Sequence, residues 1–382
     1  MPGPPVADGL PEWAEWRTSK PYSIGIEEEV MLLKPDGWGL AHRAEDILAR
    51  LPATLESHAT AETHQAVIEL ATSPHRTVEE TAREAVGLRA ALAQALRSHG
   101  LSAAGAGTHP LAVWTETQVS PGARYQVVYE SMRELARREP TFALHVHIGV
   151  VDPERAMILQ NRLRTHLPFL LAISANSPFW QGRDTGLAST RTPIFQAFPR
   201  VGIPRAFASY ADYVAVVDGL LRCDAFPAPT FLWWDVRLQP TLGTVEVRIM
   251  DAQTTADESC GLAALVQTIA HLELEEGYHD PRLIDAYEIL QENRFLAARD
   301  GVAAGLLDPI AERKVPVRRM LEDLLDAGRD HAQELGCESA LDEVTALVRA
   351  NGAVRQRELA GGRGLSGVIG RLSSMFTGPV PR

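Results

Sequence analysis

Residues 22–34 read YSIGIEEEVMLLK, three consecutive acids inside an otherwise apolar run that ends at the turn Pro35-Asp36-Gly37. Apolar length followed by a turn predicts a strand. Side chains alternate across a strand, so Glu27 and Glu29 share one face and Glu28 points to the other. Ile24, Ile26, Val30 and Leu32 lie on the Glu28 side, which makes that the core face. Two carboxylates two residues apart on one strand stand about 7 Å from each other, and they repel unless cations sit between them.

The same parity argument applies to three more segments. In 142–150 (FALHVHIGV), His145 and His147 share a face opposite Leu144, Val146 and Ile148. In 243–250 (GTVEVRIM), Glu246 and Arg248 oppose Val245, Val247 and Ile249. In 64–72 (HQAVIELAT), Glu69 is the only charge, and a lone buried carboxylate is costly without a partner. Each motif alone reads most simply as a solvated face, a hydrogen-bonded pair or a cross-strand ion pair. Four strands with the same asymmetry instead predict an antiparallel sheet, helices on one face and a polar cavity on the other. With further strands at 101–107 and 231–239, about six are expected.

Helices are marked by caps and periodicity. Thr77-Val78-Glu79-Glu80 has the capping-box pattern ahead of an apolar stripe ending at Gly100. Asp152-Pro153 and Asp280-Pro281 predict helices over 153–175 and 281–300. Periodicity predicts others at about 209–222, 257–278, 316–335 and 338–358, the last two acidic and suited to packing or an oligomer surface. The expected organisation is an extended arm at 1–20, one catalytic domain at 21–360 and a Gly-rich tail at 361–382. In that tail Leu365, Val368, Ile369, Leu372 and Phe376 share a helical face suited to docking on the domain.

The 382 residues carry 37 Lys+Arg against 49 Asp+Glu, a net charge of −12, which disfavours a nucleic-acid binder. Cys223, Cys260 and Cys337 form neither a disulfide framework nor a zinc motif. Neither a basic-then-apolar leader nor an apolar run of bilayer length is present, so a cytoplasmic protein free of the membrane is expected. Gly105-Ala106-Gly107 lacks the rest of a P-loop or dinucleotide fingerprint. Carboxylates with imidazole and no thiolate suit Mg²⁺ or Mn²⁺, and Arg237 and Arg248 suit phosphate or carboxylate. That equipment fits phosphoryl transfer. Loss of a same-face acid, Glu29 or Glu246, is expected to relieve repulsion in the empty site.

These strings occur together with Ala104-Gly105-Ala106-Gly107-Thr108-His109-Pro110, Asn176-Ser177-Pro178-Phe179-Trp180, Gly182-Arg183-Asp184-Thr185-Gly186, Trp234-Asp235-Val236-Arg237, Glu292-Asn293-Arg294 and Ala297-Ala298-Arg299. From about Tyr22 to Gly305 the set resembles the type 2 glutamate–cysteine ligase family, carboxylate-amine ligase branch. The resemblance implies an α+β, glutamine-synthetase-like fold, a curved antiparallel sheet forming a funnel with helices packed outside. It implies that ATP activates the γ-carboxylate of glutamate as an acyl phosphate, which an amine such as that of cysteine then attacks. Carried over by position, Glu27, Glu29, Glu69, His147 and Glu246 would bind metal, and Arg237 and Arg248 would be catalytic. His145, His147, Arg191 and Trp234 would contact nucleotide or substrate. Leu238-Gln239-Pro240 and Phe295 depart from the family pattern at what should be the pocket rim. The competing readings are a guanidino-type phosphotransferase, which would release a phosphorylated amine, and a degenerate binding protein, which should have lost some of these charges.

Overall fold

The computed structural model describes residues 9–138 and 140–378. Its main sheet has seven strands: β1 (Ile24–Leu33), β2 (Ala59–Ala61), β3 (Val67–Ala71), β4 (Ser102–Ala104), β5 (Ala143–Gly149), β6 (Val236–Gln239) and β7 (Thr244–Asp251). Their order is β6-β7-β5-β1-β3-β2, with β4 pairing the far end of β1, and every ladder is antiparallel. The expected six strands are thus present. The seventh, β2, is three residues long and too short to leave an alternation pattern.

Five long helices matter for the site: α1 (Val78–Ser98), α2 (Pro153–Ser174), α3 (Ala256–Glu275), α4 (Tyr287–Asp300) and α5 (Gly352–Met375). Thr77 and Glu80 exchange the two hydrogen bonds of the capping box at 3.3 Å each, and Asp152 Oδ1 accepts from Arg155 N at 2.9 Å. One core packs Leu144, Val146 and Ile148 of β5 with Val245 and Val247 of β7 against Leu163, Leu167 and Leu170 of α2 and Leu262, Leu265 and Ile269 of α3. The aliphatic parity of the strands therefore selects which face the helices cover. The opposite face is left for polar side chains.

Three predicted helices shift. Asp280 bonds the amide of Arg282, two residues on, so it closes only the short 3₁₀ turn Pro281–Leu283; α4 begins at Tyr287. The run 316–335 divides into Val317–Ala327 and Arg329–Leu335 at Gly328, where a Cβ would meet Thr268 Cγ2 at 2.8 Å. The run 338–358 breaks at Asn351, whose Oδ1 accepts from Val354 N at 3.1 Å and starts α5. Val317, Leu321, Leu324, Val344 and Leu347 all pack into the main core, so these segments serve packing.

Of the N-terminal arm, residues 1–8 lie outside the described residues, and the remainder docks: Tyr210 Oη donates to Ala14 O at 2.6 Å, and Arg17 N to Pro240 O at 2.9 Å. At the other end, α5 continues through position 361 with a kink at Gly364 (φ 64°). Val368, Ile369, Leu372 and Phe376 are buried on the domain, and 379–382 lie outside the described residues. None of the described helices is long and apolar enough to cross a membrane.

Candidate active site

Strand register places the charged residues opposite one another. Glu29 pairs with Glu69 across β1–β3, Glu27 with His145 across β1–β5, His147 with Glu246 across β5–β7, and Glu246 with Arg237 across β7–β6. Five adjacent strands thus carry one continuous polar face.

The contacts along it divide into two kinds. Glu246 is fully buried and enclosed by donors: Arg237 Nε at 2.7 Å, Gln239 Nε2 at 2.6 Å, and Arg248 Nη1. Burial would raise its pKa, but Arg237 and Arg248 hold it well below the usual carboxylate range. Glu27 lies 3.0 Å from His145 Nδ1 and 3.2 Å from His147 Nε2, and against the effect of burial these imidazoles hold it low as well. Glu29 and Glu69 have the opposite environment. Burial and the charge of Glu62 push Glu29 up to about 7, and burial with Glu27, Glu62 and Glu29 pushes Glu69 well above its ordinary value. Glu29 accepts from Ala143 N at 2.7 Å, and Glu69 has only Thr60 Oγ1 at 3.3 Å.

Such a cluster is short of positive charge, and two groupings could receive it: Glu27 with His145 and Glu246, and Glu29 with Glu69 and His145. Buried His145 Nε2 lacks a hydrogen-bond partner and lies 3.9 Å from Glu29 Oε1. Burial and Arg248 push the His145 pKa down to about 4, leaving a neutral ring able to ligate. The donors therefore fit hard divalent ions supplemented by one imidazole.

A prediction follows for the metal-free protein. Glu29 binds its proton more tightly folded than unfolded, so its contribution to stability is fully present below about pH 4.5 and is lost as pH rises through about 7. The expected loss is on the order of 2–3 kcal/mol. Thermal melts of the Glu29→Gln protein in chelator should show a shallower decline, with only the part due to Glu69 remaining. Equal slopes in both proteins would show that Glu29 is not under repulsion.

The arginines differ in availability. Arg237 has no nitrogen to spare: Nε and Nη2 bond Glu246, and Nη1 bonds the carbonyls of Thr230 and Leu232 at 3.1 and 2.7 Å. It is a clamp on Glu246, not an open phosphate contact as the sequence suggested. Arg248 keeps Nε unpartnered and reaches the edge of a cavity. Arg191, at the start of the short helix Arg191–Phe195, donates to the carbonyls of Ile249 and Arg248 and leaves Nε unpartnered.

Two cavities open onto this face. One of about 70 Å³ is lined by Glu29, Glu62, Tyr125, Arg191, Trp233 and Arg248. The other, about 370 Å³, reaches Glu27 and His147 past Arg17, Ser23, Gly25 and Thr244. Trp234, expected at the site, instead packs its ring 5.9 Å from Phe207 and 6.5 Å from Tyr213, and Trp233 lines the cavity. The strand breaks at Asp235, which bonds Arg294 at 2.6 Å, yet Trp233, four residues before Arg237, still shares its face as plain alternation requires. Glu62 escaped sequence reading because it sits in the loop after β2. The one available signal is a further acid seven residues before Glu69.

Several motif residues serve as frame. Glu28 accepts a two-pronged contact from Arg89 of α1, at 2.9 and 2.6 Å, with both side chains buried. Buried Asp251 holds Asn176 N, Ser177 Oγ and Ser189 Oγ within 2.9 Å. Gly107 must lack a side chain because a Cβ would lie 2.6 Å from Asp251, and at Gly105 one would lie 2.2 Å from Gln253 O. Asn293 bonds both backbone groups of Leu307. Of the departures, Gln239 sits under Glu246 instead of at a rim, and Phe295 is exposed away from both cavities.

Residues 23–372 match the family model described as glutamate–cysteine ligase family 2. A Rubrobacter xylanophilus protein named "Putative glutamate–cysteine ligase 2-1" is 40% identical over 88% of this chain and 90% of its own. A Thermobifida fusca relative with the corresponding name is 34% identical over 96% of this chain and 94% of its own. Among solved structures, the Francisella tularensis glutamate–cysteine ligase in complex with AMP superposes with a TM-score of 0.66 at 14% identity, covering 95% of this chain and 90% of that one. A bifunctional glutathione synthetase from Pasteurella multocida gives 0.69 at 14% identity, covering 93% of this chain and 52% of that one. Each of these two likenesses covers more than nine-tenths of this chain.

Proposed function

We infer the chemistry of the funnel from one premise: the chain belongs to glutamate–cysteine ligase family 2. It is an ATP-dependent carboxylate–amine ligase, an enzyme that forms amide bonds. For this chain we propose that the carboxylate is the γ-carboxylate of glutamate and the acceptor an amine such as that of cysteine, with the reaction in the cytoplasm, where ATP is abundant. A carboxylate oxygen takes the γ-phosphoryl group, ADP leaves, and the amine nitrogen then attacks the acyl carbon. Phosphate departs with the C–O electron pair, and the nitrogen loses a proton.

The observation that carries this reading is the continuous polar face of five strands, with uncompensated acids at one end and Arg248 beside them. Glu27, Glu29, Glu62, Glu69, His145 and Glu246 would hold Mg²⁺ or Mn²⁺, with His147 as a neighbour of Glu27. Bound there, the ions would neutralise triphosphate charge, which phosphoryl transfer requires. Arg248 offers a free donor to the oxygens of the group being transferred. Arg237 acts through Glu246 as a positioning residue. Arg191 and Tyr125, in the smaller cavity, suit an amino-acid carboxylate, and the larger cavity at Glu27 and His147 has room for a nucleotide.

Products distinguish this from its competitors. With glutamate, a panel of amines, ATP and Mg²⁺ or Mn²⁺, the expected products are ADP, phosphate and an amide identified by mass. AMP with pyrophosphate, or a phosphorylated amine, would contradict the proposal.

A further inference from the structure

On the outer side of α2, away from the sheet, a second cavity of about 370 Å³ lies between α2, α4 and the hairpin of β8 (Gly305–Asp308) and β9 (Arg313–Pro316). It shares no lining residue with either funnel cavity. Its walls mix apolar side chains, among them Phe169, Leu290 and Leu324, with Asp308, Arg313 and Asp323, and His166 and His279 line it too. Behind them stands Glu273, the last-turn carboxylate of α3, fully buried.

We propose that His166, Glu273 and His279 bind a divalent transition ion of the zinc class, with an open coordination position facing this cavity. Their donor atoms already lie within 4.8 Å of one another. Glu273 Oε1 is 2.7 Å from His166 Nε2 and 3.2 Å from His279 Nδ1, and the two rings stand 4.1 Å apart. Two imidazoles and one carboxylate are a familiar ligand set for zinc-class ions, and three protein ligands leave a position open.

The surroundings support ligation. Arg162 Nη1 takes Glu273 Oε2 at 3.0 Å, so the second oxygen is tied off and Oε1 alone faces the imidazoles, an outer-shell arrangement of the kind that orients metal ligands. Gly277, at φ +67°, turns the chain closely over Arg162 and so delivers His279 to the cluster. In this apo geometry Thr165 Oγ1 is 2.6 Å from His279 Nδ1, and it must release that nitrogen when the ion enters. The simpler reading is an ion-free network in which the histidines only satisfy Glu273.

The test is Co²⁺ titration of the full-length, chelator-stripped protein, followed by visible ligand-field absorption and bound-metal stoichiometry. Wild type should bind one equivalent more than His279→Ala, and the funnel variant His145→Ala should keep the absorption of that extra ion. His279→Cys should restore binding with a new cobalt–thiolate charge-transfer band, which only direct ligation produces. Equal stoichiometry in wild type and His279→Ala would overturn the site. So would a His279→Cys protein of native circular dichroism that lacks the thiolate band.

Discussion

Glu246→Gln should be the most damaging conservative change in the funnel, costing about 3–5 kcal/mol of stability together with turnover. An isosteric amide removes the charge that faces Arg237 and Arg248 and leaves two guanidiniums buried against a neutral group. Neither can recover solvent, since their side chains are only 11% and 12% exposed. This reverses what strand parity alone suggested. From the sequence Glu246 is one more acid on an acidic face, and its removal should relieve repulsion. In the structure it is enclosed by cations and Gln239, and its loss exposes the opposite imbalance. Glu69→Gln is the control, because Glu69 is surrounded by acids and its amide should melt at or above wild type without metal. Thermal unfolding of both variants in chelator, with circular dichroism, measures the contrast. Glu246→Gln melting with wild type would mean that the two arginines find other partners.

The second large effect is on rate. Arg248→Ala and Arg248→Lys should each lower kcat on the order of 100-fold, the usual cost of losing one positioned donor to developing charge. Arg248 qualifies because Nη1 is anchored on Glu246 while Nε has no partner and the side chain lines the smaller cavity. Lysine keeps the charge but cannot hold Glu246 and donate from a second nitrogen together, so it should recover little. A group that bound substrate and transition state equally would raise KM and leave kcat unchanged. Steady-state kinetics at saturating ATP and glutamate separate the two. Unchanged kcat in either variant would reduce Arg248 to a structural partner of Glu246.

How much of this was legible beforehand follows from the range of each interaction. Strand parity is local, so the separation of Glu27 and Glu29 from Glu28, the shared face of His145 and His147, and the pairing of Glu246 with Arg248 were all readable. The partner of Glu28 was not, because Arg89 lies 61 residues away on α1. Glu62 was hidden by its place in a loop, where no alternation applies. Trp233 rather than Trp234 lines the cavity, and alternation counted back from Arg237 gives that placement. The helix breaks at Gly328 and Asn351 come from tertiary contact and a cap inside a continuous periodic pattern. Availability was also invisible: Arg237 and Arg248 look alike in sequence, and only their carbonyl and carboxylate contacts show that every nitrogen of Arg237 is engaged while Arg248 keeps Nε unpartnered.

The most direct test of the funnel as a site of carboxylate activation is isotope transfer. Glutamate labelled with ¹⁸O in its side-chain carboxylate is turned over with ATP, a divalent ion and the amine that gives product, and the released phosphate is analysed by mass. Attack of the carboxylate on the γ-phosphorus leaves one carboxylate oxygen bonded to phosphorus, and that oxygen departs with phosphate when the amide forms. The account predicts one ¹⁸O in each phosphate released with amide. Phosphate carrying no label, its fourth oxygen drawn from water, would show that ATP is hydrolysed without activating the carboxylate and would contradict it.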